Sequence, residues 1–185
     1  RAGLRQPTLP FTGFGTAWLD IDNDGWLDLV TVNGTVTQSA DAAARRERFA
    51  LQQRKQAFHN LGNGRFEDVT TRAGPAFTRT EVRRGAAFGD VDNDGDVDVL
   101  LGNASGPLRL LLNGIGQRRH WIGLRLSGRG GRDMLGARVE IVRSPSHSLW
   151  RRAHADGSYA SANDPRVVVA LGDSAPSPAG CGTWP

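Results

Sequence analysis

Two nine-residue stretches place carboxylates at a spacing suited to a metal ion: Asp20-Ile-Asp-Asn-Asp-Gly-Trp-Leu-Asp28 and Asp90-Val-Asp-Asn-Asp-Gly-Asp-Val-Asp98. Aspartate stands at positions 1, 3, 5 and 9 of each stretch, with glycine at position 6. Alternate residues of a tightly wound loop aim their side chains at one centre, and a hard dication takes about six to eight oxygens at roughly 2.3–2.6 Å. Gly25 and Gly95 let the backbone reverse and continue the wrap. The position-7 carbonyls of Trp26 and Asp96 can then face the ion, and the aspartate at position 9 closes the cage. The expected metal residues are Asp20, Asp22, Asp24, Trp26 and Asp28 in the first loop. In the second they are Asp90, Asp92, Asp94, Asp96 and Asp98. The number of protein oxygens and the absence of a phosphate partner favour calcium over magnesium. Neither loop holds His or Cys, which disfavours softer metals. Two calcium ions are therefore expected, one in each loop, and without them the crowded carboxylates would repel one another. These are not EF-hand loops, which need a bidentate Glu at position 12 and flanking helices. Position 12 here is Thr31 or Leu101, and the flanks read as strands.

The loops sit inside a repeat. Aligning Gly15–Gly34 with Gly85–Ala104 gives nine identities in 20 positions without a gap. Each copy reads as strand, acidic loop, strand: Thr16–Leu19 and Ala86–Phe88 lead in, and Leu27–Val32 and Val97–Leu101 lead out, rich in β-branched and apolar residues. Ala57–Asn60 and Arg65–Val69 flank Gly62-Asn63-Gly64 and predict a hairpin, and Leu108–Leu112 predicts a further strand. Ser39–Gln56 has strong helix formers and no Gly or Pro, which predicts a short surface helix or ordered loop. Composition shifts near Gly114–Arg119. Trp121–Leu126, Ala137–Val142 and Val167–Leu171 then read as strands of a second, smaller β module. The expected organisation is two calcium-binding repeats over 1–115, the β module over 119–172, and an irregular tail over 173–185, where Gly, Pro, Ser and Ala dominate.

Composition narrows the function. The chain has 185 residues, 24 of them Gly and 9 Pro, which suits a turn-rich β protein. Cys181 stands alone, so neither an internal disulfide nor a Cys-based zinc site is available. No apolar stretch is long enough to span a bilayer, so no membrane insertion is expected. Nine of the 19 acidic residues lie in the two loops, leaving 23 basic against 10 acidic residues elsewhere. That basic excess, almost all Arg, lacks the interleaved aromatics or motif spacings of a nucleic-acid reader, so no nucleic-acid partner is expected. His59, His120, His147 and His154 are scattered and share no spacing motif with a Ser, Cys or acid, so the chain is read as no enzyme.

With these elements in view, a resemblance stands out. Phe14-Gly-Thr-Ala…Asp-x-Asp-x-Asp-Gly-x-x-Asp28 and its second copy resemble FG-GAP/VCBS repeats, the calcium-binding blade units of integrin-α-type β-propellers. Phe58–Val69 is similar to the hairpin that follows such a loop. His120-Trp-Ile-Gly-Leu-Arg-Leu126, Gly136–Val139, Gly157–Tyr159 and Ser161–Arg166 resemble the ASPIC/UnbV module that follows the propeller in the cartilage acidic protein family. The resemblance implies an all-β fold of partial propeller blades followed by a small β domain. It carries Asp20, Asp22, Asp24, Asp28, Asp90, Asp92, Asp94 and Asp98 over as calcium ligands. It also implies an extracellular, periplasmic or cell-surface setting and no catalytic residue set. Two repeats cannot close a ring of four to eight blades, so N-terminal blades are expected elsewhere in a full-length protein. The module departs from the family at Arg143–Arg152, with extra Ser, Pro and His, and after Gly172, where an expected final strand is replaced.

The function expected from all this is adhesion or interaction with a protein or anionic glycan, with calcium clipping the strand–strand loops. The alternative is an enzyme built on a propeller scaffold whose catalytic site this chain does not display. A glycan-binding face would need an arginine cluster drawn from Arg83, Arg84, Arg118, Arg119, Arg151 and Arg152. A histidine within hydrogen-bond reach of a carboxylate in a pocket would favour the enzyme.

Overall fold

The computed structural model describes residues 2–37, 51–104, 106–144, 147–173 and 181–184. Four antiparallel strands in chain order make the first sheet: β1 (Gly13–Leu19), β2 (Asp28–Asn33), β3 (Gln56–Asn60) and β4 (Phe66–Asp68). The second sheet repeats the plan with β5 (Arg83–Gly89), β6 (Asp98–Asn103) and β7 (Arg109–Leu111). Leu19 pairs with Asp28 and Gly89 with Asp98, so both acidic loops bridge the same strand turn in the same register. An irregularity recurs in each first pair, between Gly13 and Thr16 and between Arg83 and Ala86. A one-turn helix precedes each sheet, α1 (Arg5–Thr8) and α2 (Pro75–Thr78), so the repeat begins earlier than its loop. The order of elements and the face-to-face stacking are those of propeller-type blades.

Alternation of side chains along the strands gives each sheet an apolar face, and these faces meet. Leu19, Val30, Val32 and Ala57 of the first pack on Ala86, Phe88, Val99 and Leu101 of the second. The inner strands β1 and β5 come close enough to require a glycine. A Cβ at Gly15 would fall 2.7 Å from the Ala86 Cβ and 2.9 Å from the Val32 Cγ2.

The remaining strands form two small sheets. β8 (His120–Leu124) pairs with β11 (Val167–Gly172), and β9 (Arg138–Ser144) lies between β10 (His147–Arg152) and β12 (Cys181–Trp184). Ala153, Val167 and Val169 are buried among Leu124, Leu126, Ile141 and Leu149. Two features differ from the sequence reading. Cys181–Trp184 is a strand paired antiparallel with Arg138–Ile141, where an irregular tail was expected; the free edge of β9 supplies unpaired backbone groups that a strand can satisfy. The unusual Arg143–Arg152 stretch likewise forms the β9–β10 hairpin. Most of the short helix or ordered loop expected over Ser39–Gln56 lies outside the described residues. Its last residues are extended, since Gln52 bridges Gly34, Gln53 bridges Glu81 and Gln56 opens β3.

Lys55 is nearly fully buried, with its Nζ unpaired among the described residues and 5.6 Å from the Phe77 ring centroid. Burial, reinforced by Arg83, pushes its ammonium down from 10.5 to about 7. The folded chain therefore binds fewer protons than the unfolded chain between about pH 7 and 10.5, and stability rises with pH across that window. Lys55→Met should raise the melting temperature clearly at pH 6 and much less at pH 10, measured by circular dichroism; an equal gain at both would refute the buried charge. Gly15→Ala overfills the contact between sheets and should cost about 1–3 kcal/mol in urea denaturation. Gly102→Ala, with no neighbour inside 3.7 Å, should stay within about 0.5 kcal/mol of the parent.

Candidate metal centre

Each acidic loop is wound by its own carboxylates. Asp20 accepts hydrogen bonds from the Asp24 amide at 3.0 Å and the Gly25 amide at 2.7 Å. Asp90 accepts the same pair from Asp94 and Gly95, both at 3.1 Å. At position 5, Asp24 accepts from the Trp26 amide at 2.8 Å and Asp94 from the Asp96 amide at 2.9 Å. The reversal takes the chain through positive φ at Asn23 (58°) and Gly25 (98°), and again at Asn93 (63°) and Gly95 (91°). Asparagine tolerates that region better than most residues, and glycine enters it freely.

The winding brings positions 1, 3 and 5 together. Asp20, Asp22 and Asp24 each offer an oxygen within 4.8 Å of the others, and so do Asp90, Asp92 and Asp94. The position-3 carboxylates hold no backbone amide among the described residues. The Asp22 Oδ1 is buried without a hydrogen-bond partner, its nearest cation being the Arg119 guanidinium at 3.7 Å, and such an acceptor can take a further positive ligand. Burial, aided by Asp24, pushes the Asp20 carboxyl up to about 7. Three hard oxygen donors with an unsatisfied acceptor fit a calcium-type ion.

Position 9 has a second task. Asp28, fully buried, accepts the Ile21 amide at 3.0 Å and the Asn60 amide at 2.7 Å. Asp98 accepts the Val91 amide at 2.9 Å and the Asn113 amide at 2.8 Å. These carboxylates tie the loop to the third strand of the sheet, and neither joins the triad of its own loop at positions 1, 3 and 5. Asp28 instead groups with Asp22 and with His59, whose Nδ1 lies 3.2 Å from the Asp28 Oδ1. At position 7 the Asp96 side chain is fully buried and accepts from the Gly116 amide at 3.0 Å. Sequence reasoning missed Asn60, Asn113 and His59. The signal lay in the asparagine at or just past the end of the third strand of both copies, Asn60 directly after His59 and Asn113 two residues beyond β7.

His59 lines an open cleft of about 200 Å³ with Ile21, Asp22, Asp28, Val69, Arg72, Ala73 and Ile115. Among the described residues, its lining holds a His–carboxylate pair and no Ser, Thr, Cys or Lys. The arginines expected to form a glycan-binding face divide between the fold interior and the surface, where Arg118 and Arg152 are exposed. Arg83 is fully buried against Glu81, and Arg84 lies 4.2 Å over the Phe14 ring while donating to the Gly34 carbonyl. Arg119 approaches Asp22 at 3.7 Å, Arg151 donates to the Gly25 carbonyl at 3.3 Å, and Arg152 pairs with Asp156. Asn33 and Asn103, each in a glycosylation-type triplet, spend their side-chain amides on the Arg54 and Pro107 carbonyls.

Residues 40–122 match the FG-GAP-like repeat family, a span that holds the second acidic loop but not the first. Over 55 residues the chain is 46% identical to cartilage acidic protein 1 of Mus musculus and 44% identical to that of Homo sapiens. Those alignments cover 30% of this chain and 8% of either relative.

Positions 3 and 9 should separate on mutation. Asp28→Ala strands two amides and should cost about 1–3 kcal/mol for each, even with a chelator present. Asp22→Ala removes a repelling carboxylate that holds no amide and only a half-exposed ion pair with Arg119, worth about 0–1 kcal/mol, so chelated stability should change by less than about 1 kcal/mol. Urea denaturation in excess EGTA checks both, and equal losses would show that position 3 also serves the scaffold.

Proposed function

We propose that this FG-GAP-repeat chain binds two calcium ions, one in each blade, as structural clips of a non-catalytic propeller module. The observation that supports it most is the pair of triads, Asp20–Asp22–Asp24 and Asp90–Asp92–Asp94, held by matching amide frameworks. A bound calcium ion would supply the positive charge that lets these carboxylates stay ionised and close together. The chain supplies the geometry. Positions 1 and 5 orient their carboxylates through backbone amides, position 3 holds no backbone amide, and position 9 anchors the loop to the sheet.

In the whole protein the two blades would join further blades in a closed ring, with the module working outside the cytoplasm in attachment to a protein or glycan. The ring's exposed loops would carry that recognition. An enzymatic reading has two His–carboxylate pairs in its favour, His59–Asp28 and His154–Asp156, each 3.2 Å apart, but the carboxylates beside His59 are the ones the loop uses for its own winding and for the ion.

Calorimetric titration of the chelator-treated chain with calcium should give two ions per chain, and Asp92→Ala should leave one. Calcium at about 100 times the dissociation constant should add about 2.7 kcal/mol of stability per site and raise the melting temperature. An unchanged melting temperature with no heat of binding would refute the proposal.

A further inference from the structure

Position 4 of each loop is an asparagine in the left-handed region, and its side chain leaves its own loop. Asn23, only 2% exposed, donates from Nδ2 to the Asp96 Oδ1 at 2.6 Å and to the Gly95 carbonyl at 3.3 Å. Both acceptors belong to the reversal of the second loop. Their amides are the ones held by the second triad, Gly95 by Asp90 and Asp96 by Asp94. A second link runs back. Asn113 donates its side-chain amide to the Ile21 carbonyl of the first loop at 2.8 Å, while its backbone amide is held by Asp98. Its counterpart Asn60 stays within its own blade, donating to the Leu27 carbonyl. Asn93, the counterpart of Asn23, instead accepts from Arg166 of the C-terminal module.

We infer that the two loops are energetically coupled through Asn23, so that an ion in the first strengthens ion binding in the second. The inference rests on the calcium reading above. Asn23 stands between Asp22 and Asp24, two members of the first triad. An ion that gathers those carboxylates fixes the backbone on both sides of Asn23 and presents its amide to Asp96. With the loop empty, carboxylate repulsion loosens that backbone and the grip on the second loop loosens with it. The second ion then meets a loop already ordered and loses less conformational entropy on binding. The coupling is reciprocal, and couplings of this kind typically change affinity about 5- to 150-fold. Repulsion between the two dications opposes it and is screened by salt over roughly 8 Å.

Two tryptophans report the loops separately. Trp26 is part of the first loop, and the Trp121 ring lies against Gly95 of the second, where a Cβ would fall 2.2 Å from it. The whole chain labelled with 5-fluorotryptophan is titrated with calcium chloride and followed by fluorine NMR. Asp22→Ala should silence the Trp26 response and weaken calcium binding at the Trp121 loop at least about fivefold. Asn23→Gly keeps the positive φ and removes the amide. In its background the effect of Asp22→Ala on the Trp121 affinity should shrink to what the Asn113–Ile21 link alone transmits, and an undiminished effect would show that Asn23 carries none of the coupling. Equal Trp121 affinities in the parent chain and Asp22→Ala overturn the coupling, whether or not the Asn23 variant folds. If calcium moves neither resonance of the parent chain, the calcium reading itself falls, and the coupling with it.

Discussion

A buried carboxylate at the start of each outgoing strand holds three segments of a blade in one place. Asp28 begins β2, accepts an amide from the loop that precedes it, and accepts another from the end of β3. Asp98 does the same among the second loop, β6 and the end of β7. Such a carboxylate sets the loop's exit angle and the position of the third strand together. Loop and sheet cannot then be adjusted independently, which explains why the two copies share registers as well as residues. The triads depend on this anchor, because positions 1, 3 and 5 converge only when both ends of the loop are fixed.

Anchoring has an electrostatic cost. Burying several carboxylates in each loop favours their neutral forms, as the upward shifts of Asp20, Asp28 and Asp96 show, with burial the leading cause for each. The chain meets part of that cost with dipoles, the amides that point at positions 1, 5 and 9. The C-terminal module adds charge from outside, with Arg119 near Asp22 and Arg166 donating to the Asp90 carbonyl. The basic excess seen outside the loops thus has an internal use. Arg119 and Arg166 compensate acidic loops across a junction.

The loops, the strands around them and the two-copy plan were legible in the sequence because they rest on local rules. Glycine and asparagine mark positive φ, alternation marks a strand buried on one face, and an ungapped repeat transfers each reading to the other copy. What escaped the sequence depends on distant partners. Nothing near Asn113 announces that its side chain reaches Ile21, and nothing near Asp96 announces that it receives Asn23. β12 was missed for the same reason, since a short Cys-Gly-Thr-Trp segment becomes a strand only because β9 offers an open edge. The anchoring task of the position-9 aspartates was not legible, because the amides of Asn60 and Asn113 that they accept arrive 32 residues later in one copy and 15 in the other.

The junction with the C-terminal module follows from the needs of sheet edges. An inner strand such as β5 leaves one row of backbone groups unpaired, and an exposed row of that kind invites pairing with another chain. Here the row is met largely by side chains. Ser161 accepts the Ala86 amide at 2.8 Å, Asn163 accepts the Phe88 amide at 3.1 Å, and the Asp164 amide donates to the Phe88 carbonyl at 3.0 Å. Ser158 does the same for the first sheet, donating to the Phe14 carbonyl at 2.8 Å. One segment of the module therefore covers the inner edges of both blades. Its next charged residue, Arg166, holds the second loop through Asp90 and Asn93. Because the edge cover and the loop contact share the nine residues Ser158–Arg166, displacement of the module would uncover β5 and loosen the second loop in the same movement. The β module and the blades thus form one mechanical unit, with the acidic loops at its junction.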